Sequence, residues 1–337
     1  MVAPEKTRQG EYFLREFVSY YSAIYGLQLH LNQGVPGLLL STQQSQPVDV
    51  QVHFGSMPLG LPEEKTLWYL NPEPGPGGQP RLTVWSLPDH YHLQYADGTQ
   101  FLIDNSGTRI WAVWPDETLT LEDTATYLLG PIMGFVLLLR GFFSLHACAV
   151  VLDDRAVAIV GPAGSGKSTL AAAFAEVGYR VLAEDVVTLR DHGDTFLVQP
   201  AYPSIRLWPA SVEALYGPAA TLPRLTPTWD KCYLDLTQEK YEFQQHPLPL
   251  AAIYVLAERR PDPVAPFVSD LAPAEALMAL IANTYATYLM DKQMRVREFE
   301  LLPRLLNSIP IRRVTPHSDS ARIGQLCQTI LEDFGRH

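Results

Sequence analysis

The sequence predicts an α/β protein in two parts: a β-rich N-terminal domain over residues 1–118 and a C-terminal α/β domain over residues 119–337 built on a glycine-rich loop. Short runs of alternating apolar and polar residues fill the first part, the period of a half-buried strand. From Leu119 the pattern changes to an apolar stretch of helical length. Beyond it, a short apolar run, a glycine-rich segment and a run of helix formers follow one another without a break, in the order of a strand, a tight loop and a helix.

Residues 11–25 carry apolar residues at mixed spacing and end at Tyr25-Gly26-Leu27, so the type of the first element stays open. Residues 48–54 and 90–95 alternate as strands do. Ala96-Asp97-Gly98-Thr99 is a hairpin turn, because Asp-Gly tolerates the positive φ of a tight reversal, and Asn105-Ser106-Gly107 makes the next one. Residues 71–78, a run of prolines and glycines, are expected as a surface loop that holds neither helix nor strand.

In the second part Thr120-Leu121-Glu122-Asp123 supplies a helix start, and an apolar helix is expected to about Leu139. Residues 127–145 are the most apolar of the chain, but Arg140 and glycines interrupt them. They are expected as a buried helix and the start of a strand, not as a membrane span. Two β-type runs, residues 144–152 and 156–160, join through the hairpin-like Asp153-Asp154-Arg155. The chain from Leu271 is expected to add helices.

The chemistry begins after Val160. Gly161-Pro162-Ala163-Gly164-Ser165-Gly166-Lys167-Ser168-Thr169 has the form G-x-x-x-x-G-K-[ST] between a strand and a helix. Glycines let such a backbone curl so that successive N–H groups point at phosphate oxygens, and the helix N-terminus adds partial positive charge. Lys167 would reach the β and γ phosphates and the Ser168 hydroxyl would ligate magnesium. The motif points to a nucleoside triphosphate, ATP with magnesium. Gly178 caps the following helix, and residues 179–183 form a strand that delivers Glu184 and Asp185 at its end. In an open α/β sheet that end faces the ligand, so these carboxylates can hold magnesium or accept the proton of an attacking hydroxyl. The alternative is a solvated acidic turn. His146, among apolar residues on the neighbouring strand, would on its own more often be a core histidine.

Composition narrows the classes. Of 337 residues 47% are hydrophobic and 18% charged, which excludes a disordered chain. A net charge of −11 opposes a general nucleic-acid binder, which needs a basic footprint. Cys148, Cys232 and Cys327 are far apart and odd in number, fitting neither a disulfide framework nor a zinc site. The first residues carry alternating charge and no signal-like apolar core, so a reduced cytoplasmic protein without membrane attachment is expected.

Leu145-His146-Ala147, the hairpin, the loop motif and Gly178-Tyr179-Arg180-Val181-Leu182-Ala183-Glu184-Asp185 together resemble the catalytic domain of bacterial HPr serine kinase/phosphorylase. More closely, the chain resembles the HPr-kinase-related proteins found beside peptide-modification genes, including the kinases of lasso-peptide pathways. The specific block is residues 145–185. Weaker pieces lie at Tyr25-Gly26-Leu27, Asp49-Val50, Ile205-Arg206-Leu207-Trp208, Asp230-Lys231 and residues 271–277. The resemblance implies an HPr kinase-like domain that moves a phosphoryl group from ATP to a hydroxyl, a serine of a peptide or protein, with the N-terminal domain helping to bind the acceptor. It implies that His146 lies near acceptor and phosphates, that Asp185 and Glu184 match the family's paired acidic residues, that Arg206 matches the arginine of its E-I-R segment, and that Lys231 sits in a basic loop near the transferred group. Ser204 stands where the family has the glutamate of E-I-R. No copy of the phosphorylase signature is present, so neither phosphorylase activity nor HPr as substrate is implied. Without the resemblance, Arg206 and Lys231 read as surface cations and Trp208 and Trp229 as core aromatics. An ATPase or nucleotide-gated binding module, and a small-molecule kinase, remain alternatives, and a homo-oligomer stays open.

Overall fold

The computed structural model describes residues 18–336. The N-terminal part is one sheet of β1 (Tyr20–Ile24), β2 (Leu27–Leu31), β3 (Val50–Phe54), β4 (Thr66–Pro74), β5 (Pro80–Ser86), β6 (His90–Tyr95), β7 (Gln100–Asp104) and β8 (Arg109–Val113). Their spatial order is β1-β2-β3-β8-β7-β6-β5-β4. Alternation in the sequence becomes alternation in burial: Val50, Val52 and Phe54 are buried while Gln51 is exposed. The expected turns at Gly98 and Gly107 have φ of 95° and 64°. Of residues 11–25, those up to 17 lie outside the described residues, as does the N-terminal segment read for export signals; the remainder contributes strand β1.

Residues 71–78 correct one expectation. The strand β4 runs on to Pro74, and only Pro76–Gly78 forms a turn. Because β4 is last in the sheet and pairs with β5 alone, its prolines forfeit no ladder hydrogen bond on the open side.

The second sheet contains β9 (Phe143–Leu152), β10 (Arg155–Val160), β11 (Val181–Ala183), β12 (Val186–Asp191) and β13 (Phe196–Val198). After a separate ribbon of β14 (Ser204–Leu207) and β15 (Cys232–Asp235), it is completed by β16 (Leu248–Leu256), β17 (Phe267–Asp270) and β18 (Ile311–Thr315). The helices are α1 (Leu121–Tyr127), α2 (Met133–Leu139), α3 (Lys167–Glu176), α4 (Pro209–Tyr216), α5 (Pro273–Ala282), α6 (Lys292–Ser308) and α7 (Ile323–Phe334). The chain beyond Leu271 thus adds the expected helices but also β18, which lies between β16 and β17. Strands β9 and β10 are buried on both faces. Ala147, Ala149, Val151, Ala156 and Ala158 join the core shared with the first sheet, while Cys148, Val150, Val157 and Ile159 join a second core with α3 and α7. That is why these strands carry so few polar residues.

Helix α1 starts as expected, with Thr120 and Asp123 forming a reciprocal cap. It passes into α2 through a π-helical turn, Leu128–Ile132, that contains Pro131. A proline inside a helix lacks an N–H and crowds the preceding turn, which a widened turn accommodates. The combined helix Leu121–Leu139 is apolar enough to cross a membrane by length and composition, but 78% of its most apolar window is buried inside the protein. Its apolarity is accounted for by the core.

The two sheets are joined here. The β1–β2 hairpin tip, Tyr25-Gly26, has positive φ at both residues (56° and 76°). The Tyr25 N–H donates to the Pro200 carbonyl at 2.7 Å, and its hydroxyl donates to the Leu129 carbonyl in the π-turn at 2.7 Å. Arg140 donates to the Asp49 carboxylate at 3.2 Å. On α2, the Tyr285 ring lies so close to Gly134 that an added Cβ would stand 2.3 Å from Cε1. Gly134→Ala should therefore cost about 1–3 kcal/mol by overpacking, outweighing the ~0.5–1 kcal/mol that alanine gains over glycine in a helix. Urea unfolding measures the balance; a variant as stable as wild type would contradict the close packing.

Candidate active site

Strands β10 and β16 are parallel with Val160 opposite Val255, and β16 and β18 are parallel with Leu256 opposite Val314. Their C-terminal ends therefore open on one edge, where parallel α/β sheets take their ligands. His146 on antiparallel β9 pairs with Val186, and Ala147 pairs with Val160, so β9 enters at the same edge. Strand β11 ends there too, delivering Glu184 and Asp185. The result is a cleft of about 960 Å³ lined by the loop residues 163–169 and by His146, Glu184, Asp185, Arg206 and Lys231.

The loop is shaped by its glycines. Gly164 and Gly166 have φ of 77° and 104°, and nothing lies within 4 Å of a Cβ added at Gly164. The loop thus takes backbone conformations that glycine adopts most readily and lies open to the cleft. Gly166 is the N-cap of α3 and makes no side-chain cap, which leaves the first N–H groups of the helix to the cleft. Lys167 curls back, its Nζ donating to the carbonyls of Gly161 at 2.6 Å and Pro162 at 3.1 Å. Burial lowers its pKa. At the far end α3 closes as expected, with Gly178 at φ 89°.

Asp185 has φ of 73°, and the Val186 N–H bonds back to the Glu184 carbonyl at 3.0 Å across it. This three-residue turn with positive φ is uncommon and strained. It turns two successive carboxylates onto one guanidinium: Arg206 donates through Nε to Glu184 at 3.3 Å and through Nη2 to Asp185 at 2.8 Å. Only 10% of the Arg206 side chain is exposed, so it is not the surface cation it resembled in sequence. Ser168 donates to Glu184 at 2.7 Å and Tyr285 to Asp185 at 3.3 Å. His146 Nε2 stands 3.7 Å from the other Asp185 oxygen.

The two carboxyls are pushed apart. Burial raises Glu184, with Arg206 opposing and Asp185 adding to the rise. Burial acts on Asp185 in the same sense, but Arg206, His146 and Lys231 together hold it below its ordinary value. Burial keeps the His146 ring below its ordinary pKa despite Asp185 beside it. Paired carboxyls driven in opposite directions show the division that acid–base sites use.

No protein-family model matches the chain, and no curated protein matches it. Among solved structures, the HPr(Ser) kinase/phosphatase from Coxiella burnetii is similar to it at 16% identity, covering 57% of this chain and 90% of that one, with a TM-score of 0.31.

The sequence-derived residues line one cleft, except that Gly161 faces a neighbouring pocket of about 300 Å³. Ser204 also differs: it is buried and opens, with Arg206, onto a separate cavity of about 450 Å³ on the side of α1. Trp208 is no core residue; it is 56% exposed in the cleft, with Lys231 Nζ 5.0 Å from its ring centroid. Lys231 is half-buried, and its pKa is lowered by burial and then by Arg206. Asn283 and Tyr285 were missed. Asn283 accepts the Gly161 N–H on its side chain at 3.0 Å and the His146 N–H on its carbonyl at 2.7 Å, tying loop and histidine together. No motif surrounds either residue, and only the fold brings them here.

The residues fit a magnesium polyphosphate. The exposed loop backbone suits phosphate, and Ser168, Glu184 and Asp185 offer hard oxygen donors. Among the described residues no group of three or more His, Cys, Asp or Glu forms a metal cage. Magnesium does not need one, since it is held by one or two carboxylates with phosphate oxygens and water.

Because Arg206 lowers both carboxyls, removing it raises both. A carboxyl raised in the folded state costs stability above its pKa and restores it as pH falls and the proton binds. Arg206→Met should lose about 3–5 kcal/mol at alkaline pH by leaving buried charge unpaired. The deficit should shrink as pH falls towards the carboxylate range near ~4. Urea unfolding at the two ends reads it, and a deficit independent of pH would contradict the pairing.

Proposed function

We propose that the protein is an ATP-dependent kinase that transfers a phosphoryl group to a hydroxyl, with a serine of a peptide or protein as acceptor. The observation that carries this reading is the position of His146. It lines both the loop cleft and the smaller pocket beyond it, so a space for a donor and a space for an acceptor abut at a histidine in contact with Asp185. The smaller pocket is walled by Asn283, Thr284, Tyr285, Thr287 and Tyr288, with no carboxylate or lysine among its lining residues. That lining suits an uncharged hydroxyl side chain. The resemblance of residues 145–185 to HPr-kinase-related proteins supports the same reaction.

The chain's own groups divide the work. The amides of residues 163–169 and the α3 N-terminus cradle the polyphosphate. Lys167 exchanges its loop carbonyls for phosphate oxygens. Asp185, kept ionised by Arg206, accepts the proton of the attacking hydroxyl as the new P–O bond forms and the bond to the departing diphosphate breaks. His146, its pKa held down by burial, lines the path between the pockets. Lys231 adds positive charge at the cleft. Magnesium held by Ser168, Glu184 and Asp185 would neutralise charge on the polyphosphate.

Two variants separate binding from transfer. Lys167→Ala should lose most affinity for ATP while staying folded. Asp185→Asn should bind ATP within about tenfold of wild type, roughly 1.4 kcal/mol, yet transfer label from γ-labelled ATP to serine peptides about 10²–10⁴-fold more slowly. Near-normal transfer by Asp185→Asn would remove it from the mechanism. Wild-type hydrolysis of ATP at full rate without any acceptor would favour the ATPase alternative.

A further inference from the structure

Among the described residues, the lysines and arginines lining the loop cleft are Lys167, Arg206, Lys231, Arg259 and Arg322. Lys167 is held by loop carbonyls and Arg206 by its carboxylates. Lys231 lies over Trp208, and Arg322 donates to the Ala265 carbonyl at 3.1 Å. Arg259 differs: among the described residues it has no hydrogen bond, ion pair or ring contact.

Its place is nevertheless fixed by backbone. Beyond β16 the Ala257 N–H donates to the Val314 carbonyl at 2.8 Å, and the Arg260 N–H donates to the Pro316 carbonyl at 3.0 Å. The chain is thereby pinned on either side of Glu258-Arg259, at the lip where β16 runs beside the loop strand. The Arg259 guanidinium leans over the loop so closely that a Cβ added at Gly166 would lie 2.7 Å from Nη2.

That position gathers positive groups around the loop. Gly166 caps the N-terminus of α3, where unpaired N–H groups and the helix dipole concentrate positive charge. Lys167 is the next residue. A third positive group here adds to the attraction for an anion, and a guanidinium suits phosphate oxygens because its planar fork can bond two at once.

We infer that Arg259 contacts the polyphosphate of the donor, closing over the glycine loop from the β16 side. The inference rests on the nucleotide-binding reading above. It adds a cation supplied by a different strand, outside the loop motif.

The test is Mg-ATP affinity, by calorimetry, for wild type, Arg259→Ala, Arg259→Lys and Arg260→Ala. Arg260 is exposed, carries the same charge and does not line the cleft, so it controls for loss of general positive field. Arg259→Ala should weaken binding about 10- to 100-fold, as expected for a hydrogen bond between charged groups. Arg259→Lys, keeping the charge without the fork, should fall between, and Arg260→Ala should stay within about threefold. The melting temperature without nucleotide should not change in Arg259→Ala, since no protein contact is lost. Unchanged affinity in Arg259→Ala, or equal losses in Arg259→Ala and Arg260→Ala, overturns the inference and leaves the kinase reading standing. Wild type that fails to bind Mg-ATP overturns that reading, and the inference with it.

Discussion

Glu184 and Asp185 are neighbours in the chain and both point into the protein, an arrangement that like charges resist in a medium of low polarity. Arg206 makes it tenable by bonding to both at once. The other contacts of the site are built outward from this group of three. Ser168 reaches it from the helix that follows the loop, Tyr285 from the turn after α5, and His146 from β9. Behind it lies an aromatic backing, with the Arg206 guanidinium 5.9 Å from the Tyr202 ring and Tyr25 buried beside Tyr202. A buried ion pair of this kind contributes less to stability than its Coulomb energy suggests, because each charge leaves water. Its return is local: Arg206 holds Asp185 below its ordinary pKa beside the glycine-rich loop.

The N-terminal sheet acts as a brace for that site. Its hairpin tip holds the π-turn through Tyr25, its Asp49 holds Arg140, and Trp68 donates to the Leu289 carbonyl at 3.2 Å. The π-turn in turn presents Gly130, where an added Cβ would lie 3.5 Å from Asp185 Oδ2. Backbone strain follows the same map. Of the non-glycine residues with positive φ, Asp153 and Asp154 make a hairpin turn, whereas Tyr25, Asp185 and Ala286 surround the site. Strained conformations of this sort persist where packing on all sides enforces them.

What the sequence made legible was local. The loop motif, the cap at Thr120, the turns at Gly98, Gly107 and Gly178, and the hairpin at Asp153-Asp154 each depend on a few adjacent residues whose backbone demands are specific. The expected arrival of Glu184 and Asp185 beside the loop needed only the order strand, loop, helix, strand. Arg206 and Lys231 could be placed only through the family resemblance, since a lone cation has no periodic signature. Asn283 and Tyr285 were silent because their contacts cross the fold; the Tyr285–Asp185 bond spans 100 residues. Arg259 was silent because only the fold brings it over the loop. Residues 71–74 misled because proline is tolerated at a sheet edge, and sequence does not say which strand is the edge. Trp208 misled because an aromatic residue is usually buried, whereas this one lies open in the cleft.

The most direct examination of the loop's role is a crystal structure with a non-hydrolysable ATP analogue and magnesium. Lys167 now bonds to the carbonyls of Gly161 and Pro162, and on the proposed reading it leaves them for the polyphosphate. The polyphosphate should lie on the amides of residues 163–169, with Lys167 Nζ moved to its oxygens and Arg206 still joining Glu184 to Asp185. An analogue bound elsewhere, or one bound in the cleft while Lys167 keeps its carbonyls, would contradict the assignment of this site to phosphoryl transfer.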